Sequence, residues 1–333
     1  MNAKPEVSEA RGDDHRQIFT LQKLIRPVLV GLALCGCYNF SDIVHIDHGH
    51  KNNFKTVISA TFRFVCLLIM LVVCVKYGVT LYYVSYEYKL FAVMCFIFNL
   101  NLVARFVACL KMTHRSYGNQ EKCFKTWEED IFPECLALKL RCPVSTINAR
   151  TKWAVIVASG ITVINVAFVE VQVEMYPELA SLHLFPLPNT ILIKVALILL
   201  MLMCSAVYMF PQTYIFALNT TLTSLFKNLT EKLEQDICKN ETKFPPNFQR
   251  LRLLHLKLSK LVAELDKDMG WFYAANIGFG TGLGVFILYH IMKTTMDTFF
   301  LIMCVFWLLT ALAEIGFAAT CAAFLHDAVR ILR

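Results

Sequence analysis

Six stretches of about twenty predominantly apolar residues, near 57–77, 90–110, 153–175, 191–210, 271–291 and 298–318, dominate this chain. A helix rising through about 30 Å of hydrocarbon needs about that many, so each run is long enough to cross a bilayer. One soluble core has no use for six of them. The fold class expected is therefore all-α: a polytopic membrane helix bundle with six predicted transmembrane helices.

Composition agrees with that reading. Of 333 residues, 57% are apolar and 17% charged, against about 45–50% and about 25% in an ordinary soluble domain. A soluble enzyme is excluded, and so is a disordered chain, which needs low hydrophobicity. The N-terminal stretch MNAKPEVSEARGDDHRQIF is polar and carries acidic residues, unlike a secretory signal, so the first membrane span is expected to direct insertion.

Lysine and arginine collect on every second connection, and cytoplasmic loops are the ones that hold them. Eight lie between residues 111 and 152 and nine between 227 and 267, whereas none falls between Tyr176 and Thr190. The pattern predicts a cytoplasmic N-terminus. Four sequons, at Asn39, Asn219, Asn228 and Asn240, fall on that same basic side and oppose the assignment; the repeated lysine and arginine bias outweighs them.

The domain division follows. Residues 1–56 form a cytoplasmic segment with a membrane-apposed helix near 24–40, where the run is short and broken by Arg26-Pro27. A re-entrant helix and one buried under the bundle both fit it. Spans one to four occupy 57–213, a cytoplasmic helical anchor region 214–270, spans five and six 271–320, and the cytoplasmic end of helix six 321–333. In the anchor region Leu218, Leu222 and Leu225 form one apolar stripe, and Leu251, Leu254, Leu258, Leu261 and Leu265 another. These long helical extensions must bury their stripes within one subunit or against neighbours.

No catalytic set emerges: no HExxH, Walker motif or Ser/His/Asp grouping is present. Most of the 13 cysteines, among them Cys66, Cys95, Cys204 and Cys304, sit inside apolar runs, where cysteine packs as a small hydrophobe. No metal site, cofactor or nucleic-acid partner is expected, the net charge of +7 being accounted for by basic loops facing lipid headgroups. Gly278, Gly280, Gly282 and Gly284 mimic a phosphate loop, yet at mid-membrane they let helices approach closely.

The stretch LRLLHLKLSKLVAELDKDMGWFYAANIGFGTGLGVFILYHIM at 251–292, with its LR-x-x-H start and a glycine and aromatic at Gly270 and Trp271, resembles the fifth-helix region of the insect gustatory and odorant receptor superfamily. LIRPVLVGLALCG from Leu24 is similar to that family's leading helix. The resemblance implies a chemosensory receptor, of gustatory type, that binds a small-molecule tastant or odorant in the outer half of the bundle. It further implies a homo- or hetero-tetramer in the plasma membrane that gates a cation path. The family's pore helix, with a T-Y-(five apolar)-Q-F signature, has no counterpart after Ala322, where only AFLHDAVRILR follows. The expectation is either a fragment or a member without a seventh helix.

Under that topology the outer halves of the spans bring Asn165, Glu170, Lys194, Phe286, Tyr289, His290, Phe300 and Trp307 forward as candidate ligand-binding residues. Glu170, Lys194 and His290 stand out, because ionisable groups in a membrane are costly and face protein or water. Glu170 and Lys194 lie at similar depths and could pair. Their plainer roles are snorkelling for Lys194, interfacial placement for His290 beside Tyr289, and simple packing for the aromatics. Deeper, Asn99, Asn101, Arg105 and Glu314 suit a polar network between helices. Two other functions compete. A G-protein-coupled-type receptor fragment needs an external N-terminus, which only the sequons support, and a small-solute transporter or structural membrane protein predicts uptake without current, or neither.

Overall fold

A computed structural model describes residues 21–39, 42–43, 53–113, 120–140, 144–184, 187–188, 190–239 and 247–330. Among them the order is α1 (Leu21–Leu24), α2 (Arg26–Leu34), α3 (Asn53–Tyr83), α4 (Tyr86–Thr113) and α5 (Gln120–Thr126). A π-helical turn (Trp127–Ile131) leads into α6 (Phe132–Ala137), then α7 (Val144–Met175), α8 (Pro177–Leu184), α9 (Ile191–Lys239), α10 (Phe248–Lys293) and α11 (Thr298–Arg330). Six of these, α3, α4, α7, α9, α10 and α11, are long and apolar enough to cross a membrane. The chain is a multi-pass, all-helical membrane protein. Large apolar side chains such as Val72, Val157, Leu199 and Leu309 lie exposed on these helices, as a lipid-facing surface requires.

The leading segment is buried. Ile25, Val28, Leu29 and Leu32 are fully enclosed, and α2 packs on α7 and α9. Pro27 stands in the first turn, where its missing N–H costs nothing. The helix stops at Gly36, whose φ of 78° is the left-handed conformation glycine adopts freely. There the Cys37 and Tyr38 N–H groups both donate to the Leu32 carbonyl, satisfying an end that would otherwise be orphaned. The nine residues of α2 rise only about 14 Å, too short to span.

Both anchor-region stripes are buried inside one subunit. Leu218, Leu222, Leu225 and Leu229 of α9 and Leu251, Leu254, Leu258 and Leu261 of α10 share a core with Trp127 and Ile131. Lys257 also bonds Asp130 at 3.0 Å and Arg250 bonds Glu134 at 3.2 Å. These bridges are half exposed and add little. Lys257→Ala is expected to shift stability by less than about 1 kcal/mol, readable as a small change in the melting temperature of the detergent-solubilised protein.

At the opposite, basic-poor end, Asp297 accepts the Phe300 backbone N–H at 2.9 Å and so caps α11. The Tyr176 hydroxyl donates to the same carboxylate. That bond and the cap hold the Asp297 carboxyl below its usual range. A depressed carboxyl stabilises the fold while ionised, so its contribution is complete above the ordinary carboxylate pKa and is lost as pH falls through the lowered value. Asp297→Ala is therefore expected to flatten the acid limb of the stability curve, measured as melting temperature against pH. An unchanged limb would refute the assignment.

Candidate functional site

Between α4, α7, α9, α10 and α11, in the half of the bundle away from the basic end, lies an apolar cavity. Its walls are Phe91, Met94 and Phe98 of α4, Val169 of α7, Met201 of α9 and Ile287 of α10, among others. The centre of a water-sized sphere can explore about 90 Å³ of it, less than the ~150 Å³ at which an engineered apolar cavity accepts benzene. Met94, Met201 and Met209 all line it, and methionine's unbranched side chain lets such a wall yield.

The polar groups on the walls are mostly spoken for. Trp307 donates its indole N–H to Asn165 Oδ1 at 2.7 Å, and the Asn165 amide donates to Ser205 Oγ. Thr162 and Asn99 bond the carbonyls one turn earlier in their own helices, each at 2.8 Å. The exception is His183 in α8, 5% exposed. Its Nδ1 lies 2.8 Å from the Tyr77 hydroxyl, while its Nε2 is buried without a partner. With Tyr77 donating, Nε2 carries the ring's proton and is an unspent donor, covered by its neighbours, on a residue of the cavity wall. Lys76 holds α8 in place by bonding the His183 carbonyl.

Above the cavity is an aromatic layer. Phe91 packs on Phe300, Trp307, His183 and His290, with ring centroids 5.6 to 6.3 Å apart, and Phe91, Phe300 and His290 are themselves buried. Below it, Tyr208 lines the cavity on one side and stacks on the Arg105 guanidinium, 4.1 Å away, on the other.

Arg105 is fully buried. It bonds Glu314 Oε2 at 2.6 Å, Asn276 Oδ1 at 2.6 Å, Asn101 Oδ1 at 3.1 Å and the Tyr208 carbonyl at 2.8 Å. The last lies three residues before Pro211, whose missing N–H interrupts the α9 ladder and breaks its hydrogen bonding there. Asn276 passes the network to Gln212 at 3.3 Å. Of the residues expected to form it, Arg105, Glu314 and Asn101 take part, while Asn99 bonds its own helix.

The eight candidate residues separate. Asn165 and Trp307 line the cavity. Phe300 and His290 belong to the layer that closes it. Phe286 packs at the edge of the same apolar cluster, and Tyr289 is half exposed on the outer face of α10. Glu170 keeps one buried oxygen without a partner. Lys194 pairs with Glu174, one turn further along α7 than Glu170, because that carboxylate lies nearer the helix end from which the lysine reaches. Tyr77, His183, Ser205 and Tyr208 carry the site but were not among the eight. His183 sits in a short helix with no periodic signal to mark it, and Tyr77 in an apolar span where one more aromatic marks no face.

The 7tm Chemosensory receptor family profile matches residues 25–330. A search of curated protein sequences finds no significant match. The fold is similar to the insect olfactory receptor OR5 from Machilis hrabei, with a TM-score of 0.73 at 13% identity over 93% of this chain and 81% of that one. It is similar also to the same receptor in complex with eugenol, with a TM-score of 0.70 at 13% identity over 92% and 80%. With six helices able to cross a membrane and a profile match across nearly its whole length, the chain belongs to the 7tm chemosensory receptor family.

Proposed function

We propose that this chain is a gustatory-type receptor subunit that takes a small, neutral molecule into the cavity and contributes to a ligand-gated cation channel. The observation that carries the reading is an apolar chamber between the helices with a few polar side chains on its wall, among them His183, whose Nε2 has no partner, the usual form of a small-molecule site. A similar receptor has been solved with eugenol, and a molecule of that class would present ring carbons to Phe91 and Trp307 and an oxygen to His183. Asn165 orients Trp307; His290 and Phe300 hold the roof. Because the resting chamber is small, binding must favour a conformer with a wider one, and that differential affinity is what drives gating. Tyr208 is the contact through which a wider chamber disturbs the Arg105 network.

In this reading the subunit assembles as a homo- or hetero-tetramer in the plasma membrane with its N-terminus cytoplasmic. Two of the sequons no longer oppose that side: Asn39 and Asn219 are buried, and the Asn219 amide bonds the Tyr273 hydroxyl at 3.3 Å, so neither presents its amide to a glycan on either side. An epitope at Met1 is expected to be reached by antibody only after permeabilisation; labelling of intact cells would reverse the orientation.

The functional test is whole-cell current from the full chain, expressed alone and with related subunits, under a panel of neutral odorants and tastants that includes eugenol. His183→Phe is expected to lower apparent affinity about tenfold for ligands bearing an acceptor oxygen, the loss of one hydrogen bond, and to leave purely hydrocarbon ligands unaffected. Uptake without current would favour a transporter instead.

A further inference from the structure

A second hollow runs along the outside of the bundle, between α7, α9 and α11. It is far larger than the chamber, about 630 Å³ by the same measure. Its rim carries Trp153, Val157 and Leu309, each more than half exposed on helices long and apolar enough to span a membrane; Arg150 stands at one end and the paired Glu314 also lines it, so its apolar length suits hydrocarbon and its charged end the headgroups.

Four residues, Ile161, Met209, Phe306 and Thr310, line both the groove and the chamber. The two spaces are thus separated by a single layer of side chains. Met209 is flexible by nature, and Phe306 leans on Phe168 in an edge contact at 5.2 Å, free of any hydrogen bond to hold its ring. The other way out of the chamber is blocked far more heavily. It passes through the buried layer of Phe91, His183, His290 and Phe300, beneath α8 with its Tyr77 and Lys76 bonds.

The groove also has one chemical preference. Gln212, which lines it, is 5% exposed; its Oε1 accepts from Asn276, and its Nε2 is buried without a partner. A buried amide donor left unpaired is costly, so a turn of this side chain toward an acceptor oxygen in the groove is favourable.

We propose that the ligand reaches the chamber sideways from the bilayer, pausing in this groove with its oxygen on Gln212 and passing between Met209 and Phe306. The route rests on the chamber being the binding site. It selects for molecules that partition into lipid, are uncharged, and carry an acceptor that is handed from Gln212 outside the partition to His183 within it.

The test uses the full chain in lipid nanodiscs and azioctanol, a neutral alcohol bearing a photoreactive diazirine. Labelling is triggered at increasing delays after mixing, and adducts are mapped on peptides holding Met94 and Met201 in the chamber and Phe216 in the groove. Leu309→Trp, a substitution on the lipid face, narrows the mouth without touching the chamber. It is expected to slow chamber labelling at least about tenfold, a modest rise in barrier, while the yield at long delay stays the same. Phe306→Ala is expected to speed it. Chamber labelling that keeps its rate in Leu309→Trp, and instead quickens in Phe300→Ala, would overturn the lateral route and place access on the aqueous side. Chamber peptides left unlabelled at equilibrium in the native protein would remove the binding reading itself, and the route with it.

Discussion

Glu314→Leu is expected to leave no stable folded receptor, the protein eluting as aggregate from mild detergent where the native chain elutes as a single species. The cause lies in what the substitution strands. Arg105 is wholly buried and loses its carboxylate partner at 2.6 Å, and breaking a buried pair by deleting one member costs about 3–5 kcal/mol. Asn276, Asn101 and the Tyr208 carbonyl still accept hydrogen bonds from it, but none supplies a countercharge. Glu314→Gln keeps an acceptor in place and should fall between. Combining Glu314→Leu with Arg105→Met removes both charges and should recover most of the loss, since apolar replacement of a whole buried pair is often neutral. A single Glu314→Leu variant melting at the native temperature would show that the pair is not a structural keystone.

Gly31→Leu should unseat the leading helix. A Cβ added at Gly31 would lie 2.1 Å from the Phe210 ring, so α2 and α9 approach as closely as they do only because that position has no side chain. Forcing one in costs about 3 kcal/mol, the upper range of overpacking. Because the obstruction is one named ring, Phe210→Ala in the same chain is expected to restore stability. Thermal unfolding of the single and double variants in detergent decides it: a double variant no better than the single would mean that the strain lies in the α2 backbone rather than at the ring.

Much of the architecture was legible in the sequence, and the boundary of what was not has a physical origin. Six spans follow from length and hydropathy alone. The stripes of α9 and α10 could be read because in their water-facing parts only the buried face is apolar. Within the bilayer that contrast vanishes, since lipid accepts the same side chains as the protein interior. Tyr289 and His290 are adjacent in sequence, yet one faces outward and the other packs on Phe91 and Phe300, and nothing in their hydropathy tells them apart. Arg105 and Glu314 were legible for the opposite reason: a charge at that depth must find a partner. Asn276 and Gln212 joined them unannounced, because a single amide in an apolar run marks no direction. His183 was hidden by topology, as only the return of α8 over the bundle end brings it to the Tyr77 hydroxyl.

The length of α9 gives the chamber a mechanical advantage. One continuous helix of 49 residues carries Cys204 and Tyr208 on the chamber wall and ends at Lys239. Pro211, its one interrupted rung, is a natural pivot. Cys204 sits about 10 Å above that pivot and Lys239 about 42 Å below it. If the two arms tilt together, a displacement of about 1 Å at the chamber wall corresponds to about 4 Å at the far end, the ratio of a lever's long arm to its short one.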